Sequence, residues 1–105
     1  MIWFEEIPHE IQKVGKLYAV AKANADMLEE SKKSVLASEA SQYDWSEAYR
    51  ERMARKSVKY KDFLKWWQQS KQKELELKYE LIALQAQFDY FRSMNSVKKK
   101  EINNL

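Results

Sequence analysis

The chain contains no cysteine, one glycine (Gly15), one proline (Pro8) and one histidine (His9). Without thiols there is no disulfide framework and no thiolate chemistry. With a single imidazole and no cysteine, a conventional zinc site is excluded. Average usage over 105 residues would give roughly seven glycines and five prolines. Their scarcity excludes most β-sandwiches, barrels and Gly-rich nucleotide-binding folds, whose turns need residues that tolerate positive φ. No run of 18 apolar residues occurs, so nothing is expected to span a membrane. The opening Met1-Ile2-Trp3-Phe4-Glu5-Glu6 has no basic n-region. It does not read as a secretory signal, and the expected compartment is the cytoplasm.

What is present is helical periodicity. Pro8 fits a first helical turn, where its missing N–H is harmless, and Glu10 complements the positive end of the helix dipole. Ile11, Val14, Tyr18, Ala21, Ala25, Leu28, Lys32 and Val35 then follow alternating steps of 3 and 4, the heptad of a coiled coil. Leu17, Met27 and Leu36 widen the stripe, and Ala21, Ala23 and Ala25 narrow its middle for close approach of a partner helix. Gly15 weakens the helix by about 1 kcal/mol relative to Ala.

Residues 37–44 read as a connection, with Ser41 or Asp44 as the next N-cap and Trp45 as a packed anchor beside the turn. A second seam follows: Tyr49, Met53, Lys56, Tyr60, Phe63, Trp67, Ser70, Glu74, Leu77, Leu81, Leu84, Phe88 and Phe91. Its phase survives the polar patch 68–74, which predicts one helix over residues 45–99, about 80 Å long. The expected fold is all-α, a long antiparallel helical hairpin or coiled coil in one domain. Helix 1 covers residues 8–36, and residues 100–105 form a frayed tail. The rival is a three-helix bundle with a break near Ser70.

In the hairpin, helix 1 would cover only half of the long helix. Leu75, Leu77, Tyr79, Leu81, Ile82, Leu84, Phe88 and Phe91 would face water, too apolar a surface to stay bare. A homo-oligomer is therefore expected, with Leu77, Leu81, Leu84, Phe88 and Phe91 as its seam and Lys56, Ser70 and Glu74 available to set register between chains.

Charge is divided unevenly. Residues 1–48 carry five lysines against nine acids, and residues 49–105 carry fourteen Lys and Arg against seven acids. A basic half can bind an anionic partner or pair with its own acidic half. The densest stretch is 50–67, where Arg50, Arg52, Arg55, Lys56, Lys59, Lys61 and Lys65 stand against Glu51 and Asp62. Such cations neutralise phosphates with counterion release, and aromatic faces stack unpaired bases, a combination suited to single strands. Tyr60, Phe63 and Trp67 lie on the seam and read as core. Trp66 lies off it and reads as a contact. Near the end, Tyr90 and Arg92 are also off the seam and face a partner, whereas Phe88 and Phe91 continue it.

No catalytic constellation emerges. His9 stands alone at a helix start, no Ser-His-Asp grouping is suggested, and Walker and dinucleotide motifs are absent. Glu29-Glu30 and Glu74/Glu76/Glu80 sit among lysines as solvated helix faces. No cofactor, metal or small-molecule substrate is expected.

Lys59-Tyr60-Lys61-Asp62-Phe63-Leu64-Lys65-Trp66, the Lys/Glu/Leu-rich helix after it, and Phe88-Asp89-Tyr90-Phe91 together resemble the phage recombination mediators typified by UvsY of T-even phages. The likeness covers about a third of the chain. It implies an oligomer that binds single-stranded DNA and helps to load a recombinase in the host cytoplasm, with Lys59, Lys61 and Lys65 as the DNA-contacting positions. The chain departs from that family in having an additional N-terminal helix and no further oligomerisation domain after the aromatic cluster.

Three non-enzymatic functions are therefore expected in order. The first is a phage-type accessory protein binding single-stranded nucleic acid and a protein partner through Arg52, Arg55, Lys56, Lys59, Lys61, Lys65, Trp66, Tyr90 and Arg92. The second is a small helical inhibitor or adaptor, of the anti-defence type, acting on a host protein. The third is a structural coiled-coil assembly factor.

Overall fold

The computed structural model describes residues 4–103 and is all-α among them. A 3-10 turn, Phe4–Glu6, leads into α1 (Ile7–Ala40), followed by α2 (Glu47–Lys56) and α3 (Val58–Asn103). There is no cis peptide and no positive φ among the described residues. Gly15 is simply helical, and a Cβ built on it meets nothing within 4 Å.

α1 keeps the expected seam but outruns its expected end. Ala37, Glu39 and Ala40 are good helix formers with no glycine to stop them. The heptad steps on from Lys32 and Val35 to Glu39, which is buried. The helix closes by tightening: Gln42 and Tyr43 N–H donate to Glu39 O and Ala40 O at 3.2 Å, and the Ser41 hydroxyl donates to Ser38 O at 2.7 Å. These i→i+3 bonds satisfy terminal carbonyls that α-type bonds cannot reach.

The cap of α2 is Ser46 rather than Ser41 or Asp44. Its extended backbone (φ −60°, ψ 154°) and its Oγ, which accepts the Tyr49 N–H at 3.3 Å, make a standard N-cap. Trp45 is not a packed anchor: it is 77% exposed, its ring leaning on Tyr49 at 5.2 Å.

The long helix expected over 45–99 is interrupted, at Ser57 rather than near Ser70. Ser57 is extended (φ −65°, ψ 147°), and its N–H donates to Ala54 O at 3.1 Å. Its Oγ accepts the Tyr60 N–H at 3.1 Å, so one residue ends α2 and caps α3. Two physical causes coincide here. Like charges at i,i+4 (Arg52/Lys56 and Arg55/Lys59) oppose a continuous helix, and serine offers the cap that a break requires. The seam shifts at this point, from Met53 to the buried Ala54, and leaves Lys56 exposed. Ser70 stays helical and half-buried. The expected frayed tail is helical as far as Asn103; Asn104 and Leu105 lie outside the described residues, as do Met1–Trp3.

The chain divides into two compact units, residues 1–19 with 75–105, and residues 20–74. In unit 20–74 the core holds Ala21, Ala25, Ala54, Tyr60 and Phe63. Its two long helices are antiparallel: Lys71 Nζ lies 3.7 Å from Glu29 and Lys32 Nζ sits 4.8 Å above the Trp67 ring, so α3 descends as α1 climbs. Lys71 also stands 3.4 Å from the buried Glu74. Glu74 first, then Glu29 and Asp26, hold the Lys71 ammonium above its usual value.

In unit 1–19/75–105 the core is aliphatic and aromatic. Ile7, Val14, Leu77 and Leu84 are buried, and Ile11, Tyr18, Leu81, Phe88 and Phe91 are half-buried. Phe4 stacks on Phe88 (5.5 Å, 6°) and meets Phe91 edge-on (6.0 Å, 66°). This corrects the expected oligomer seam. Leu77, Leu81, Leu84, Phe88 and Phe91 are covered within the chain, as are Ser70 and Glu74. A hairpin folded at 37–44 would pair the start of α1 with the Glu74–Leu77 region. With α2 and Ser57 placed before α3, Phe4 in the 3-10 turn ahead of α1 meets Phe88 and Phe91 instead. Leu75, Tyr79 and Ile82 remain exposed, as expected.

Candidate nucleic-acid interface

The basic stretch occupies α2 and the first turns of α3, all inside unit 20–74. Two serine caps position it: Ser46 launches α2, and Ser57 launches α3 one residue after α2 ends. Each cap satisfies one backbone donor that a helix start leaves open.

Arg52, Arg55, Lys56, Lys59, Lys61, Lys65 and Trp66 are all exposed. They are not equivalent. Arg55 is committed within the chain: its Nη2 donates to Glu51 Oε1 at 2.8 Å. That hydrogen bond, then the Glu51 charge, raises the already permanent guanidinium pKa further, so the effect is on its position rather than its charge. Arg52 lies 5.6 Å over the Tyr49 ring, a cation–π contact that leaves its edge open to an anion. Lys56, Lys59, Lys61 and Lys65 form no ion pair among the described residues. On α2 a shallow depression of about 500 Å³ is lined by Ala48, Glu51, Arg52, Arg55 and Lys56.

The aromatic complement differs from the expected one in one residue. Tyr60 and Phe63 are buried and Trp67 is half-buried, as the seam implied. Trp66 is 63% exposed, as a base platform must be. Trp45, read from the sequence as a packed anchor, is the more exposed of the two tryptophans. Trp45, Tyr49 and Arg52 form a column on one side of α2's start, two aromatic rings under a guanidinium. Its signal was the 4-then-3 spacing of those residues. The column depends on Ser46, rather than Ser41 or Asp44, capping α2.

Arg50 was also passed over as a positioned residue. It is half-buried, its Nε is enclosed without a hydrogen-bond partner, and it lines a cleft of about 400 Å³ with Lys33, Leu36, Ala37, Glu47 and Glu51. Two cations and two carboxylates share that cleft, so it has no net preference for an anion. Tyr90 and Arg92 are exposed but belong to the other unit, where Arg92 reaches Asp89 at 3.8 Å and Tyr90 meets Phe91 edge-on at 5.7 Å.

Among the described residues no group of three His, Asp or Glu is arranged to hold a metal ion, and no helix is long and apolar enough to cross a membrane. Comparison with family models, with curated proteins and with solved structures finds no match.

Proposed function

We propose that the protein is a non-enzymatic accessory factor that binds single-stranded nucleic acid, of the phage recombination or replication mediator kind, acting in the cytoplasm with a protein partner. One observation carries this reading. Arg52, Lys56, Lys59, Lys61 and Lys65 are exposed on one unit and form no ion pair among the described residues, and the same unit exposes two tryptophans, Trp45 and Trp66. A basic face paired with its own acidic half would have consumed these cations. Of the basic stretch 50–67, only Arg55 is so paired among the described residues, by Glu51; Lys22, Lys71 and Arg92, outside that stretch, also pair with carboxylates.

The chemistry is electrostatic capture followed by stacking. Five cations that each neutralise one phosphate give a slope of about −3.5 in log affinity against log salt on single strands. Each base stacked on Trp45 or Trp66 adds about 1–3 kcal/mol and needs no particular sequence. Duplex DNA presents its bases edge-on in the grooves, so it gains only the electrostatic part.

The test is binding of labelled single-stranded and duplex oligonucleotides at low and at physiological salt. The expected result is salt-sensitive binding that prefers single strands. Lys59→Glu, Lys61→Glu and Lys65→Glu together should reduce affinity about 100-fold with helical content unchanged. Wild-type protein that binds neither nucleic acid at low salt would overturn the proposal and direct the search to a protein target.

A further inference from the structure

The half of α3 in unit 1–19/75–105 has two apolar faces, and only one is covered. The covered face is the heptad seam that ends at Phe91; its next positions, Asn95 and Lys98, are polar and exposed. The opposite face carries Leu75, Tyr79, Ile82, Ala86, Tyr90 and Val97, whose large members are 46–65% exposed. This second stripe does not stop where the first stops. It runs on past the last seam residue to Val97, about 33 Å in all. It therefore serves something other than α1.

We infer that this outer face is the contact surface of a two-fold homodimer, in which α3 of a second copy packs antiparallel with Ala86 on the two-fold axis. The spacing carries the symmetry. From Leu75 to Ala86 the steps are 4, 3, 4, through Tyr79 and Ile82. From Ala86 to Val97 they are again 4, 3, 4, through Tyr90 and Ser93. This is an 11-residue repeat, which drifts only about 20° per repeat along a regular helix and favours a shallow right-handed crossing. It is also a palindrome. Reversed about Ala86, Leu75 meets Val97 of the partner subunit, Ile82 meets Tyr90 of the partner subunit, and the Tyr79 hydroxyl meets Ser93 of the partner subunit. An isologous interface needs this self-complementarity, and a small residue on the axis lets the two helices approach.

Charge selects the antiparallel arrangement. Glu76 and Lys98 lie on the same flank of the stripe, and the two-fold brings each within about 3 Å, along the axis, of the opposite charge on the other chain. A parallel pair would set the run Lys98-Lys99-Lys100 against itself. Two cations also come near a partner lysine: Lys71, which is drawn toward the inner seam by Glu29 and Glu74, and Lys73, which lies farther from the stripe than Glu76 on the same flank. The stripe is narrow, on the order of 300–400 Å² per copy, below the roughly 800 Å² of a standard interface. The dimer is therefore weak and concentration-dependent.

The inference stands apart from the nucleic-acid proposal, because its readouts are mass and cross-linking. Sedimentation equilibrium of the full chain over micromolar to several hundred micromolar concentrations should show a rise from 12.6 kDa to about 25 kDa. Ile82→Glu with Tyr90→Glu should hold the protein at monomer mass with unchanged helical content. The absence of native cysteine allows a direct test of register. Ala86→Cys should form a disulfide-linked dimer on mild oxidation. Ser93→Cys alone should not, since its two copies lie about 21 Å apart along the axis, but mixed with Tyr79→Cys it should. A monomer at every concentration, a larger assembly, or equal cross-linking of Ser93→Cys and Ala86→Cys would overturn the inference.

Discussion

The two units use the same heptad seam for different ends. In unit 20–74 the seam is interrupted by polar groups: Lys32 lies over Trp67, Glu74 is buried, and Lys71 bridges Glu29 and Glu74. Its outer surface is basic. In unit 1–19/75–105 the seam is apolar from Ile7 to Phe91, and one narrow stripe of the outer surface is apolar as well. Hydrophobic pattern alone therefore does not locate an interface. The same leucine-rich helix presents one face to its own chain and another to solvent, and only the fold separates them.

The sharpest break of this comparison is in the core of unit 1–19/75–105. Leu84 is 6% exposed and Leu75 is 46% exposed, one on each face of the same helix. Leu84→Ala should lower stability by about 2–5 kcal/mol through lost burial and the cavity left behind. Leu75→Ala, studied at concentrations where the chain is monomeric, should change it by no more than about 0.5 kcal/mol. Urea unfolding of both variants reads the difference, and equal losses would show the two faces to be wrongly distinguished.

A smaller effect is expected at Ser57, where α2 ends and α3 begins. Ser57→Ala removes the Oγ that accepts the Tyr60 N–H and should destabilise the protein by about 1 kcal/mol. Ser57→Asp restores the acceptor and should recover most of that loss. Recovery by aspartate but not by alanine separates a capping role from a merely spatial one.

The smallest expected effect lies at Gly15 and has the opposite sign. A Cβ there meets nothing, and the residue is in a helix interior. Gly15→Ala should raise stability by roughly 0.5–1 kcal/mol, because alanine loses less backbone freedom on folding. A loss of stability in thermal unfolding would place an atom against Gly15 and contradict the open surface seen here.

The helical class, the inner seam and the exposure of the basic stretch were legible in the residues, because each depends on spacing within a few turns. Ile11, Val14 and Tyr18, like Leu77, Leu81 and Leu84, turn inward as a 3.5-residue repeat requires. The basic candidates from Arg52 to Trp66 are exposed for the same local reason. The Trp45–Tyr49–Arg52 column was missed because its geometry hinges on which of several nearby polar residues caps α2. Ser41, Asp44 and Ser46 all offer a suitable oxygen.

By itself the sequence determined that this chain forms long helices with an apolar stripe at heptad spacing, since helical periodicity is a property of neighbours. Only the tertiary structure decided which residues that stripe meets. A single extended residue, Ser57, ends one helix and starts the next, and the short α2 stands between the turn and α3. The 3-10 turn ahead of α1 accordingly packs its Phe4 against Phe88 and Phe91, well beyond where a simple hairpin would set it. Pairing over more than eighty residues of chain has no counterpart in local spacing. It decided that the leucine seam belongs inside the molecule and left the opposite face of α3 outside.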